Sequence, residues 1–367
     1  MGGGLMQLVA YGAQDIYLTG NPQITFFKVV YRRHTNFAME SVAQTFSGST
    51  TPNGRAVATV ARNGDLVGRM YVQVDSLLMD NSTPKNHGAL LVDNVNVEIG
   101  GQEIDKQTGA WMNTWAELTE PNPTGVNDGS TLFQKMSEMG GAPDNATATG
   151  TPVFVPLQFW FNRNPGLALP LIALQYHEVK LTINWGATTG TDVMTNPTLW
   201  ADYIYLDTDE RRRFAQVSHE YLIEQVQHQN FSDPTSMDLT FNHPVKELVW
   251  TGEWADGEYT ALTPAASWNL KLNGHDRFAA RNTKYFTRSQ VWQHHTGYGG
   301  VTTKDSIAVY SFALKPEEHQ PSGTCNFSRI DNAQLKGTGA SGTCDVYAVN
   351  YNVLRVMSGM GGLAYSN

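Results

Sequence analysis

Few residues of this 367-residue chain have the types and spacing that could do chemistry. Gly337, Gly339 and Gly342 spell G-x-G-x-x-G. That pattern cradles a pyrophosphate only when a strand precedes it and a helix follows. Here Cys344–Val356 follows and alternates like a strand, so the expectation is a glycine loop. Asp207-Thr208-Asp209 offers two hard carboxylate donors of the kind a divalent cation takes, although such pairs are also common at strand ends. His294-His295 and His319 come nearest to a transition-metal set. A cupin-like site wants a tight His-x-His, a following Glu and a distant His; that spacing is absent, and surface or hydrogen-bonded histidines are expected. Neither His177-Glu178 nor His219-Glu220 extends to H-E-x-x-H. There is no nucleophile-elbow serine and no phosphate-loop lysine. Cys325, with no histidine pairing signal, reads as a small core residue. The expectation is therefore no catalytic residue, no metal site and no cofactor.

Other polar features read as surface. Asn81, Asn145, Asn230 and Asn326 each begin an N-x-[ST] acceptor triplet, which matters only if the chain meets a glycosylation machinery. Arg211-Arg212-Arg213 follows Asp207, Asp209 and Glu210 and reads as a self-compensating turn. The net charge is −9, which gives nucleic acid and anionic lipid no electrostatic footprint. Two cysteines, Cys325 and Cys344, are too few for a disulfide framework, and reduced buried thiols are expected. Met1–Gln14 lacks the charged start and apolar centre of a signal peptide, and no run of 18 apolar residues could span a bilayer. A reducing, cytosol-like compartment is the expected setting.

The elements that carry these residues are mostly strands. In Arg69–Leu77, Met70, Val72 and Val74 alternate with Tyr71, Gln73 and Asp75; in Val179–Trp185, Val179, Leu181, Ile183 and Trp185 alternate with polar residues; Trp268, Leu270 and Leu272 do the same. Side chains on a strand point to opposite faces in turn, so each pattern lays one face on a core and one in water, as in antiparallel sheets. Asn63-Gly64, Gly100-Gly101 and Asn273-Gly274 sit between such runs and tolerate the positive φ of tight hairpins. Helical signal is confined to Lys106–Leu118, where Trp111, Trp115 and Leu118 share a face, and to Tyr285–Gln293. Glu120–Pro152, rich in Pro, Gly, Asn and Thr, has the composition of a loop.

The chain also resembles itself. Asn96–Glu103 aligns with Asn269–Asp276 at an offset of 173 (269 − 96), each copy reading strand, tight turn, acid and then an aromatic-bearing helix. Phe161 and Pro170 are nine apart, as are Phe312 and Pro321, at an offset of 151 (312 − 161). The first copy thus holds about 22 extra residues between the anchors, and Glu120–Pro152 is the place for them. A period this long implies duplication of a whole domain rather than a solenoid repeat. A β unit near 160 residues is compatible with a jelly roll, a double sheet found in capsids, lectins and cupins alike.

Four stretches carry a more specific likeness: Leu8–Glu40, Trp200–Gln227, Gln320–Asn332 and Tyr351–Asn367. In order along the chain, they resemble the N-terminal signature, the inter-domain segment and two C-terminal motifs of the major capsid proteins of the nucleocytoplasmic large DNA viruses. The resemblance implies an all-β chain of two tandem eight-stranded jelly rolls with a few short helices. It also implies an N-terminal arm at 1–25, a first jelly roll at 26–210 and a second at 211–367.

By the same resemblance the function is structural: homotrimers form pseudo-hexagonal capsomers that tile an icosahedral shell. The arm would lie on the capsid interior, with Tyr11, Gln14, Asp15, Tyr17 and Leu18 making its contacts. Partners would be further copies of the chain and minor capsid and penton proteins. An internal membrane would be met only indirectly, and nucleic acid not at all. The shell would assemble in the host cytoplasm and the protein would reside in the virion. Trimer contacts should exceed ~2,000 Å2, with weaker and more polar contacts between trimers. The chain is short for the family, which implies compact outer loops. Two other readings compete: a jelly-roll glycan-binding or attachment protein using its loops and aromatics, and a cupin-type metalloenzyme.

Overall fold

The computed structural model describes residues 3–78, 86–121, 131–141, 152–186, 193–299 and 305–366. Internal contacts divide the chain into Met1–Asn36 and Phe37–Asn367. The terminal unit contains helices Gly3–Val9 and Ile16–Thr19, neither of which buries a residue. Phe26–Asn36, expected within the first jelly roll, carries no strand and groups with this terminal unit.

The larger unit consists of two antiparallel sandwiches in tandem. The principal strands of the first are Phe37–Gln44, Arg55–Thr59, Leu66–Val74, Val92–Ile99, Gln102–Thr108, Val153–Pro156, Val179–Trp185 and Thr198–Leu206. Those of the second are His219–Phe231, Met237–Leu239, Pro244–Gly252, Ser267–Leu272, His275–Asp276, Ile307–Ser311, Ala333–Thr338 and Cys344–Met357. Counted 1 to 8 within each sandwich, the strands pair in the order 1-8-3-6 in one sheet and 2-7-4-5 in the other, in both sandwiches. This is the jelly-roll pairing, used twice. The pairing of strand 3 with strand 8 is irregular in both copies, at Ala201/Tyr203 of strand 8 in the first and at Val245/Glu247 of strand 3 in the second.

The alternation reads through to burial. Val179, Leu181, Ile183 and Trp185 join Met70, Val72 and Val74 in the first core; Trp250, Trp268 and Leu270 lie in the second. The two aligned repeats are the hairpins between strands 4 and 5. Gly100 and Gly101 (φ +60° and +85°) and Asn273 and Gly274 (φ +47° and +81°) adopt the positive angles that a two-residue hairpin demands.

Three local expectations need correction. Asn63-Gly64 is no hairpin: it bends between Arg55–Thr59 and Leu66–Val74, which lie in different sheets, and neither residue has positive φ. Within the stretch read as loop, Leu132–Ser137 is a helix closed by a reciprocal cap between Thr131 and Gln134. Arg211-Arg212-Arg213 lies not in a turn but in helix Thr208–Gln216, with Asp207 as N-cap and Asp209 and Glu210 in the first turn, where they complement the helix dipole.

Candidate functional site: the seam between the two sandwiches

The first aromatic helix begins at Gly109 rather than Lys106, which still belongs to strand Gln102–Thr108. The Thr108 hydroxyl accepts from the Trp111 amide at 3.1 Å and caps it. Trp111, Trp115 and Leu118 then share one face, and that face leaves its own sandwich. It packs on Val249, Ile307, Val309, Tyr347 and Val349, on the outer side of the second sandwich's 1-8-3-6 sheet. Leu248, Trp250, Val346 and Ala348 point the other way, into that sandwich's own core. The sheet is thus covered on both faces, which explains why nearly all of Pro244–Gly252 is buried.

The end of this helix is closed by the other sandwich. The final carbonyls of an α-helix have no partner inside it. Here Gly299 N donates to Glu117 O (2.9 Å) and Gly297 N to Leu118 O (2.7 Å). The Thr296 hydroxyl donates to Thr119 O (2.8 Å). A Cβ on Gly297 would stand 2.3 Å from Glu117 O, so only glycine allows this approach. Nearer the start of the helix, the Tyr259 hydroxyl donates to Ala110 O at 2.5 Å.

Beside the helix lies a buried network of charges. Glu224 accepts from Arg163 (2.5 Å) and Lys246 (2.8 Å), with His319 Nδ1 at 3.4 Å. His295 bridges Glu247 (2.9 Å) and Glu317 (3.0 Å). Arg163 belongs to the first sandwich and the rest to the second. The Arg163 guanidinium lies 4.7 Å above the Trp115 ring, tying the network to the helix. Burial alone would raise the Glu224 carboxyl, but Arg163, His319 and Lys246 hold it well below the usual range. Burial pushes the Lys246 ammonium down while Glu224 pulls it back up. Burial also opposes charging of His295, yet Glu247 and Glu317 prevail and raise it to about 9. Each of the three carboxylates, Glu224, Glu247 and Glu317, is thus set against at least one basic side chain, which is how buried charge is tolerated.

Two further contacts flank the network. Asp105 accepts from the Val226 amide (3.1 Å), and burial raises its carboxyl to about 6. The C-terminal hairpin Cys344–Met357/Met360–Leu363 reaches back to the first sandwich, where Gly359 O accepts from Tyr176 N (2.9 Å) and Leu363 N donates to Gln102 (3.2 Å). A cleft of about 750 Å3 opens beside the seam, lined by residues including Tyr71, Phe154, Trp115, Arg163, Glu224 and His319.

Of the polar residues singled out in the sequence, His295 and His319 lie in this network, paired with carboxylates rather than gathered around a metal, and the others lie elsewhere. Tyr11, Gln14, Asp15, Tyr17 and Leu18 belong to the terminal unit, where Asp15 Oδ2 accepts from Gly12 N at 2.8 Å and Tyr11, Tyr17 and Leu18 are exposed. Asn230 and Asn326 are exposed on strands; the Asn230 amide donates to Asp345 (2.8 Å), and Asn326 Oδ1 accepts from Ser328 N (3.1 Å). Asn81 and Asn145 lie outside the described residues. Gly339 and Gly342 turn the chain into strand Cys344–Met357 with φ of +76° and +89°. Asp207 spends its carboxylate as a helix cap. Cys325 and Cys344 are free thiols. Among the described residues, no group of three or more His, Cys, Asp or Glu side chains is arranged to hold a metal ion, and no helix is long and apolar enough to cross a membrane.

Sequence reasoning missed Glu224, Lys246, Glu247 and Glu317. A signal existed: Lys246-Glu247 interrupts the apolar run of a central strand, where unpaired charge would not be tolerated.

Comparison with known proteins agrees with this architecture. The family described as "Major capsid protein N-terminus" matches residues 25–207, and that described as "Large eukaryotic DNA virus major capsid protein" matches 210–362. The major capsid protein of Pyramimonas orientalis virus is 53% identical, and that of Paramecium bursaria Chlorella virus 1 is 42% identical, each covering 100% of both chains. The alignment with the major capsid protein of Chrysochromulina ericina virus runs over 591 positions for the 367 residues here, in line with a chain short for its relatives. A structure described as "PBCV-1 virus capsid, quasi-atomic model" superposes with a TM-score of 0.82 at 37% identity, covering 94% of this chain and 100% of that one. The Faustovirus major capsid protein shares the fold at 14% identity (TM-score 0.70). A jelly-roll pairing used twice, together with full-length likeness to these proteins, places the chain in the major capsid protein family of large eukaryotic DNA viruses, with a structural role in the capsid.

Proposed function

We propose that the chain forms homotrimeric, pseudo-hexagonal capsomers that tile an icosahedral shell, with no enzymatic role. The observation that carries this reading is the identical 1-8-3-6 and 2-7-4-5 pairing in both sandwiches. Three chains of such a duplicated unit present six similar edges, and closed threefold symmetry limits growth at the trimer stage. The seam supports the reading because it fixes the two sandwiches as one tile through apolar packing, a shared helix end and a neutralised charge network. Likeness to a protein described within a virus capsid supports lattice assembly. We divide the chain functionally into an arm at 1–25, a first jelly roll at 26–210 and a second at 211–367. The meeting of the two family matches between residues 207 and 210 supports the second boundary. We assign Tyr11, Gln14, Asp15, Tyr17 and Leu18 to contacts at the capsid interior with minor capsid and penton proteins, and assembly to the host cytoplasm. The four asparagine triplets stand as glycan acceptors only if the chain reaches a glycosylation machinery.

Size-exclusion chromatography with light scattering tests the trimer. Three times the 40.5 kDa chain mass is expected at micromolar concentration. A stable monomer would refute the proposal. Saturable binding of that monomer to a glycan array would favour the attachment-protein reading instead.

A further inference from the structure

The seam joins two sandwiches of one topology through unlike sides: the helix that follows strand 5 in one, and the outer face of the 1-8-3-6 sheet in the other. Each sandwich therefore has both a giving side and a receiving side. Among the described residues, one of each is fully engaged within the chain and one of each keeps an open face.

The unused receiving side is the outer face of the first sandwich's 1-8-3-6 sheet. In the second sandwich, Val249 on strand 3 stands opposite Tyr347 on strand 8 and Val309 on strand 6, and all three are buried beneath Trp111, Trp115 and Leu118. On the matching strands 3, 8 and 6 of the first sandwich, Tyr71 stands opposite Trp200 and Pro156. These three are only half-buried. Phe154 extends the patch, with its ring edge-on to Tyr71 at 6.0 Å. The second giving side is the second sandwich's helical segment after strand 5, Tyr285–Ser289 continued by Gln290–His294, of which Val291 already packs in the seam. Phe286 turns into the second core and Val291 into the seam, while Trp292 stands 82% exposed. An aromatic ring of this size in water is what a packed interface recruits as an anchor.

We propose that Trp292 of one copy seats on the Tyr71–Trp200–Pro156 face of the next copy, repeating between chains the contact that Trp111 and Trp115 make within a chain. The proposal rests on the trimer reading and adds its contact residues. The occupant is a second copy of this chain, because the internal seam already shows which surface such a sheet face accepts. Head-to-tail use of one giving side and one receiving side per chain is a heterologous contact, and it closes into a ring when the rotation is right.

The test is the mass of the full chain by light scattering across a dilution series. Trp292→Glu is expected to raise the concentration at which trimers dissociate at least about 30-fold. Circular dichroism should be unchanged, since the side chain is exposed, and Trp292→Phe should retain the trimer. Tyr71→Glu, on the receiving face, is expected to weaken the trimer similarly, and the double variant no further than the weaker single variant, as for two sides of one contact. A trimeric wild type with an equally trimeric Trp292→Glu overturns the proposal and leaves the trimer reading standing. Additive effects of the two substitutions also overturn the pairing. A monomeric wild type overturns both.

Discussion

Replacing Glu224 by Gln puts a number on what holds the seam together. Gln keeps the shape and removes the charge. Lys246, whose side chain is fully buried, loses its 2.8 Å partner, and Arg163 loses its 2.5 Å partner. Removing one member of a buried ion pair costs about 3–5 kcal/mol, because the charge left behind stays desolvated. Unfolding 367 residues at about 2.1 cal/mol/K per residue carries an entropy near 0.8 kcal/mol/K, so the thermal midpoint should fall by about 4–6 °C. Lys246→Met should cost less, since Glu224 keeps Arg163 and His319. The double variant should be more stable than Glu224→Gln alone. The deficit should also depend on pH in a set direction. Glu224 is held below its usual value of 4.5, so its contribution is present above that pH and lost as pH falls below it. Differential scanning fluorimetry of the four proteins from pH 4 to 8 is the assay. A Glu224→Gln midpoint within 1 °C of wild type at pH 7, or strictly additive substitutions, would refute the reasoning.

Other outcomes follow from the same contacts. Gly297→Ala places a methyl 2.3 Å from Glu117 O and should separate the helix end from the second sandwich, lowering the midpoint by several degrees with little change in secondary structure by circular dichroism. Trp115→Ala empties the centre of the seam and removes the ring beneath Arg163; a cost of about 3–5 kcal/mol is expected in urea unfolding. His295 is raised from 6.5 to about 9, so its stabilisation is complete below pH 6.5 and lost as pH rises toward 9. Thermal midpoints measured between those limits should fall for wild type and stay flatter for His295→Gln. Truncation to Phe37–Asn367 should leave the sandwich midpoint within about 1 °C of the full chain by calorimetry, because the terminal helices bury nothing.

The fold was legible where local chemistry and tertiary packing agree. Alternation at Val179–Trp185 and the turn pair Asn273-Gly274 each dictate one backbone, and the structure adopts it. Asn63-Gly64 misled because an Asn-Gly pair permits a hairpin without requiring one, and its neighbouring strands belong to different sheets. Helix Thr208–Gln216 was hidden behind its charges, although Asp207 with an acidic first turn is a start signal. The seam was legible only in part. Trp111, Trp115 and Leu118 announced a shared face, but not that it would cover a neighbouring sandwich. The pairing of Glu224 with Arg163, Lys246 and His319 joins positions 61, 22 and 95 residues apart (224 − 163, 246 − 224, 319 − 224), which no local pattern encodes.

Negative-stain electron microscopy of the purified full chain bears most directly on the duplicated architecture. Particle averages with a hexagonal outline, threefold symmetry and six density maxima are the expected image. Averages with a single lobe pair and no rotational symmetry at the same concentration would contradict a tile made of three duplicated chains.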